Sequence, residues 1–455
     1  MTEQIKTSYV DALSDYVAMT RFGDIPSEVI ERTKMVLLDT LGAMLRASST
    51  RYSAGNVLTK FTKSMGGKPQ ATVVGRGFKT NIINAVLING TFGYYCDVES
   101  HHPEAVAHVA AVIVPTALTV AEAQRLSGKD LLTALVVGYD IETRVANGLN
   151  PTALYDRGFH PSAVAGSFGA AATAGSLLRL TKDQQKIAFG LAGLQASGLL
   201  AWVTDHTENS RPFQMGFAAR NGVTSALLAK EGFGAPPDII QGKNGILGAF
   251  TDNPRPERFV EDLGKRHTIM EAAFKLYSCC AFIHPGADAL LSIMRENNLK
   301  SRDIESIDLH FPAPGAGIID NNELKSHNAQ YILPILAVQG EVNIDDILFE
   351  RRTDPEINRL SKNTHLIYDK ELAPFFPKAY VSIVVVTTKG GKQYKARVDH
   401  AKGTQQNPVD MSEIESKFYR LTAEELSKSK ATKLVDMVKR IEDAKNILAL
   451  ARLYS

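Results

Sequence analysis

The residues best equipped for chemistry crowd into one stretch, 97–108, which reads DVESHHPEAVAH. It supplies Asp97, Glu99, His101, His102, Glu104 and His108 within 12 residues. Imidazoles and carboxylates at this density suit a metal site. They equally suit an acid/base site, with a histidine near neutral pKa oriented by Asp97 or Glu99. The plainer alternative is a solvated polar loop that caps a helix starting near Glu104. The loop's position favours chemistry. It follows one long apolar segment (NAVLINGTFGYY) and precedes another, and charged groups wedged between core helices line clefts.

Four further places carry reactive side chains. His160 stands just before a helix rich in small residues. The positive end of a helix disfavours an imidazolium there, which leaves a neutral ring able to accept a proton or to bond backbone. Arg211 and Arg220, in DHTENSRPFQMGFAARNG, can each hold a carboxylate in bidentate fashion; Arg220, inside an apparent helix, reads as a structural ion pair. Lys275 lies in an apolar run, AAFKLYSCCAFIHPGADAL, where an unpaired ammonium is costly. It must meet an anion, either a partner carboxylate or a substrate. His284 follows the same logic more weakly. Tyr331 opens an apolar helix, where a core tyrosine is the default.

The elements that must position these groups fall into two textures. Residues 1–265 read as helical almost throughout. Apolar periodicity marks 26–46, with Ser27 as N-cap, and 128–145 behind Ser127 and Gly128. Thr181 and Gln184 form a capping box. The stretch 163–178, nearly all Ala, Gly and Ser, reads as a central helix packed on all sides. Residues 266–404 change character: a strand at 306–311, helices at 286–295 and 328–339, and a hairpin from 381–388 through Gly390-Gly391 into KQYKARV. The chain then returns to helix at 412–419, 423–427 and 431–453. The expected organisation is a large all-helical domain, 1–265 plus 405–455, with a smaller inserted α+β lid domain, 266–404. The fold class is mainly α.

Composition excludes several functions. Lys+Arg total 51 against 49 Asp+Glu among 455 residues, so there is no basic excess for nucleic acid or an acidic membrane. Three cysteines, two of them adjacent, build no disulfide framework, which points to a reducing, cytoplasmic setting. The opening MTEQIKTSYVDAL has neither an apolar core nor an Arg-rich leader pattern. The uncharged stretches 105–121 and 187–203 are shorter than the roughly 20 residues of a membrane span and read as buried helices. Phosphate-loop, dinucleotide, nucleophile-elbow, HExxH and paired CxxC motifs are all missing.

With these residues in view, the sequence resembles the MmgE/PrpD family, which includes 2-methylcitrate dehydratases, cis-aconitate decarboxylases and iminodisuccinate epimerases. The resemblance runs through VLLDTLGAML, NAVLINGTFGYYCDVESHHPEAVAH, GKDLLTALVVGYDIETRV, GFHPSAVAGSFGAAA, MGFAARNG, FKLYSCCAFIHP and HAKGTQQNPVDMSEIESKFYRLT, in that order. It implies a helical body with an α+β lid, a homodimer, no metal or organic cofactor, and a site between the two domains. The implied catalytic positions are Asp97, His108, His160, Lys275 and Tyr331, with Arg211, His102 and Lys275 binding substrate. Two departures stand out. The family's DFDDTH is replaced here by Asp97-Val98-Glu99-Ser100, with an extra residue before His108 that opens the same place to His102. Arg211 stands where cis-aconitate decarboxylases carry lysine.

The implied chemistry is proton transfer at a carbon beside a carboxylate of a di- or tricarboxylic acid, such as 2-methylcitrate or cis-aconitate. The leading expectation is a lyase, either dehydratase or decarboxylase. The same residues also serve an epimerase of an iminodisuccinate-like acid, and a non-catalytic binding protein on the same fold is the third alternative.

Overall fold

The computed structural model describes residues 8–349 and 354–455. Its centre is the helix Pro161–Leu178, in which every residue except Ser176 is buried. It packs against Val109–Gln124, Gly128–Leu149, Lys182–Gln195 and Ser210–Lys230. Side chains no larger than alanine along much of its length let four neighbours close in, as the composition implied. Helix Ile82–Tyr95 crosses Ser210–Lys230 at a glycine contact. A Cβ on Gly216 would stand 2.2 Å from the Leu87 carbonyl oxygen, so only glycine fits. This contact fixes the helix that leads into Asp97 against the helix that carries Arg211.

Several expected boundaries shift. Helix Ser27–Ala47 is capped by Pro26, and Ser27 is its first residue. The capping boxes at Ser127 and at Thr181 with Gln184 are both present. The region read as helical also holds a hairpin, β1 (Ala71–Val73) and β2 (Phe78–Thr80), whose strands are too short to leave an alternation in the sequence. The expected helix at 423–427 is a turn, and 431–453 is broken into Lys428–Lys439, a 3-10 turn at Ile441–Asp443, and Leu448–Leu453. Of the two apolar stretches, the first becomes the buried helix Val109–Gln124, and the second spans a helix end and a 3-10 turn. No helix among the described residues is long and apolar enough to cross a membrane.

The α+β region is a four-stranded sheet of order β4-β3-β5-β6, with β3 (Ile304–Pro312), β4 (Thr364–Asp369), β5 (Ser382–Thr388) and β6 (Gln393–Val398). β3 and β4 run parallel, with Ile307 opposite Thr364. The β5–β6 hairpin turns where Gly390-Gly391 predicts. Ile307, Leu309 and Phe311 point inward under helix His284–Glu296 and its neighbours. The alternation of one buried face read from SIDLHF is therefore present. The chain then returns to the helical part. Helix Met411–Thr422 packs along Ser27–Ala47, and its buried Lys417 donates to Asp39 and to the Val98 carbonyl. Val98 sits between Asp97 and Glu99, so a C-terminal lysine braces the reactive loop from behind.

Candidate active site

The reactive loop begins where helix Ile82–Tyr95 stops. Cys96 caps it and Asp97 turns the chain at φ 50, a left-handed conformation that aspartate tolerates better than most residues. The loop is not solvated. Asp97, Glu99, His101 and His102 are all buried. A tight backbone closure of His102 on Ala107 replaces the expected helix near Glu104, and the helix starts only at Val109. Val106, β-branched yet held at φ 46, costs about 1–3 kcal/mol and marks a loop shaped by its surroundings.

Three pairings organise the buried charges. Lys275 donates to the Asp97 carboxylate and, at 3.2 Å, to the Asp97 carbonyl. Arg211 approaches the other carboxylate oxygen at 3.6 Å and lies 4.3 Å over the Tyr94 ring. Burial pushes the Asp97 carboxyl up, but Lys275 and Arg211 together outweigh it and hold the group at about 2. Burial pulls the Lys275 ammonium down, and Asp97 and Glu99 more than restore it. Glu99 Oε1 meets His108 Nδ1 at 2.7 Å. Here burial wins: Glu99, with Asp97 acting in the same direction, is pushed up to about 8. His108 is driven well below its ordinary value by burial and then by Lys275. At neutral pH the pair therefore carries a protonated carboxyl on a neutral imidazole, and the Nε2 edge of the ring is free of that bond.

His160 is also neutral, held down at about 4 by burial against the opposing bond to Gln214. Gln214 Nε2 donates to the Leu199 carbonyl at 2.8 Å, so its Oε1 faces His160 Nδ1 at 3.2 Å and assigns the hydrogen to Nδ1. His160 Nε2 then accepts from Ser162 Oγ at 3.2 Å, and the same hydroxyl accepts the backbone N–H of His108 at 3.0 Å. The two imidazoles lie 6.3 Å apart, centre to centre.

These groups surround a cavity of about 310 Å³, large enough for a small polycarboxylate. Asp97, His108 and His160 line it from the helical side and Lys275 from the irregular segment 272–280; Gly317, Ile318, Asn322 and His327 face them from the α+β region. Four of the seven residues given a catalytic or binding role from the sequence thus meet at one cavity. Three do not line it. His102 turns away, accepting from the Ala105 N–H at 3.1 Å and standing 3.5 Å from Glu271, so the place opened by the extra residue is filled by His108 itself. Arg211 is buried behind Asp97 and supports that carboxylate instead of presenting a free fork to a substrate. Tyr331 is a core residue whose hydroxyl donates to the Asp346 carbonyl at 2.6 Å. Arg220 lies 4.7 Å over the Phe217 ring and makes no ion pair among the described residues.

Sequence reasoning named His101 in the 97–108 cluster without giving it a role, and it missed His327 and Trp202. His101 lines the cavity, and neither ring nitrogen has a hydrogen-bond partner among the described residues. His327, held neutral at about 3 by burial, sits with its ring 5.7 Å from Trp202, which in turn lies 5.6 Å from His160. HHP and SHN were visible as polar pairs, but nothing in their spacing tied them to residue 160. His284 stands outside this cavity and lines a second one, of about 240 Å³, on the far side of Lys275 and His101. The three cysteines are free; Cys280 lines the main cavity with its thiol pushed up to about 12 by burial, which leaves it unreactive.

Among the described residues, Asp97, Glu99 and His108 form a group that could offer three ligand atoms to a metal, all within 4.8 Å of one another. Each is already engaged: Lys275 and Arg211 on Asp97, His108 on Glu99. A metal ion would have to displace the ammonium that now neutralises the site.

The MmgE/PrpD N-terminal domain matches residues 11–258 and the MmgE/PrpD C-terminal domain residues 277–443. The chain belongs to the MmgE/PrpD family. It is 26% identical, over 97% of its length and 96% of the relative's, to the cis-aconitate decarboxylase-like protein oryM of Aspergillus oryzae. To the cis-aconitate decarboxylase of Homo sapiens it is 24% identical over 100% of this chain and 95% of the relative. To the mitochondrial 2-methylcitrate dehydratase of Yarrowia lipolytica it is 23% identical over 86% and 78%. Like these MmgE/PrpD relatives, the chain is a lyase-type enzyme.

Proposed function

We propose that this MmgE/PrpD chain is a cofactor-independent lyase that acts on a tricarboxylic acid of the cis-aconitate type by decarboxylation, with proton delivery to the carbon that loses its carboxylate. The observation that carries the reading is the cavity wall: a buried ammonium, Lys275, beside a neutral imidazole, His108, that is backed by a protonated carboxyl, Glu99. Full-length similarity to cis-aconitate decarboxylases supports it.

In the proposed reaction Lys275 draws in the substrate's carboxylates. The bond between carbon and the departing carboxylate breaks, CO₂ leaves, and the electron pair remains on the adjacent conjugated system. Lys275, already placed in a dry site, stabilises that charge. His108 Nε2 then gives a proton to carbon and Glu99 returns one to Nδ1, so the ring ends neutral and Glu99 ends as carboxylate. Water restores the Glu99 proton, and one proton is consumed per turnover. His160 spends both nitrogens on Gln214 and Ser162. Its part is to fix Ser162, and through it the backbone of His108. The reading includes a body of residues 1–265 with 405–455, a lid of 266–404, a cytoplasmic homodimer, and no nucleic-acid or membrane partner.

The test is incubation of the purified protein with cis-aconitate, 2-methylcitrate, citrate and iminodisuccinate in D₂O. The expected result is CO₂ release from cis-aconitate with one deuterium in the product. Loss of water from 2-methylcitrate alone replaces decarboxylase with dehydratase. Inversion with deuterium uptake replaces lyase with epimerase, and binding without exchange refutes the chemistry.

A further inference from the structure

The buried charges do not end at Arg211. Glu208, 6% exposed and held at φ 56, places Oε2 3.3 Å from Arg211 Nη2 and accepts from Ser326 Oγ on Oε1 at 3.0 Å. Ser326 belongs to the α+β region. Its carbonyl accepts the Cys280 N–H at 2.8 Å, its hydroxyl lies 2.9 Å from His327 Nδ1, and His327 lines the cavity. One line of contacts therefore runs Ser326, Glu208, Arg211, Asp97, Lys275, from one side of the cavity to the other. We propose that Glu208 is a positioning residue that ties the seating of Ser326 and His327 over the cavity to the placement of Asp97 and Lys275, acting through Arg211 and never touching the substrate.

The physical reason is charge sharing. Arg211 divides its attraction between two carboxylates, Glu208 at 3.3 Å and Asp97 at 3.6 Å. While Ser326 holds Glu208, Arg211 is kept partly away from Asp97, and Asp97 is left for Lys275. Without the Glu208 charge, Arg211 moves onto Asp97 and competes with Lys275 for it. A side chain held at a left-handed backbone position, buried and bonded on both oxygens, is over-determined in the way such a role requires. The inference rests on the proposed reaction for its kinetic effect but not for its structural one.

The experiment compares Glu208→Gln, which keeps an acceptor for Ser326 and removes the charge, with Ser326→Ala, which removes the donor from the opposite side. The chain's only tryptophan, Trp202, sits between His160 and His327 and reports the seam directly. Acrylamide quenching of Trp202 in the ligand-free proteins should rise about twofold or more in both variants, because a loosened seam opens locally. With cis-aconitate, Glu208→Gln should lose about tenfold in kcat with KM changed less than about twofold, whereas Ser326→Ala should mainly raise KM. The alkaline limb of the pH profile, set by loss of the Glu99 proton, should move to lower pH in Glu208→Gln only, since the buried network then holds one negative charge fewer. Unchanged quenching and an unchanged pH limb in a folded Glu208→Gln protein, checked by circular dichroism, overturn the proposal. If Glu208→Gln does not fold, Ser326→Ala with unchanged quenching overturns it alone. If the parent protein turns over no acid, the substrate reading falls, and quenching still decides the coupling.

Discussion

Replacing Asp97 by Asn changes almost no volume but leaves two buried cations without their shared anion. Lys275 contacts one Asp97 oxygen directly and Arg211 stands 3.6 Å from the other. At an effective dielectric constant near 20, a unit pair at that separation is worth about 4.6 kcal/mol, and the nearer ammonium somewhat more. Part of this is recovered, since Arg211 keeps Glu208 and Lys275 can shed its proton. The net destabilisation of Asp97→Asn should fall at about 3–5 kcal/mol, the range for stranding a buried charge. Lys275→Met should cost about half as much, because Asp97 retains Arg211. The double variant should be more stable than the sum of the two single losses predicts, by about 2 kcal/mol or more, since removing both charges strands neither. Urea unfolding followed by far-UV circular dichroism measures all three. A Lys275→Met protein less stable than Asp97→Asn, or strict additivity, refutes the pairing as the source of the stability.

Three other outcomes follow from the same geometry. His108→Ala should lower kcat by about 10²–10⁴, the span for a lost general acid, while leaving cis-aconitate affinity near that of the parent; a loss below tenfold removes His108 from the mechanism. Glu99 is pushed up from 4.5 to about 8, so the folded state holds one more proton than the unfolded state across that window. The Glu99 contribution to stability should therefore decline as pH rises from about 4.5 to about 8, opposed below about 6.5 by the buried neutral histidines His108, His160 and His327, and Glu99→Gln should make the net slope of urea midpoints more positive across the range. Tyr331→Phe should cost about 1 kcal/mol of stability and leave kcat within about twofold, because its hydroxyl serves the Asp346 carbonyl; a large kcat loss would return Tyr331 to the reaction.

Much of this site was legible before any coordinates. Lys275 in an apolar run demanded an anion, and Asp97 is that anion. The density of titratable groups at 97–108 pointed to a cleft, and His108 lies in one. The small-residue stretch named the central helix, and the glycine pair at 390–391 named the hairpin. What stayed hidden depended on contacts between distant segments. Spacing cannot say that Arg211 turns inward to Asp97, that Ser326 reaches Glu208 across 118 positions, or that His102 is spent on its own loop. The 71–80 hairpin escaped because three-residue strands leave no period. The helical pattern at 423–453 failed at its breaks, because boundary signals are set by caps and packing more than by periodicity.

The two walls of the cavity come from regions far apart in the chain, and they carry different kinds of residue. Asp97, His108 and His160 stand at the ends of close-packed helices and Lys275 in the irregular segment 272–280, while the facing wall carries His327 among the uncharged Gly317, Ile318 and Asn322. Substitutions confined to Gly317, Ile318 and Asn322 would therefore reshape the cavity while leaving the paired charges opposite untouched.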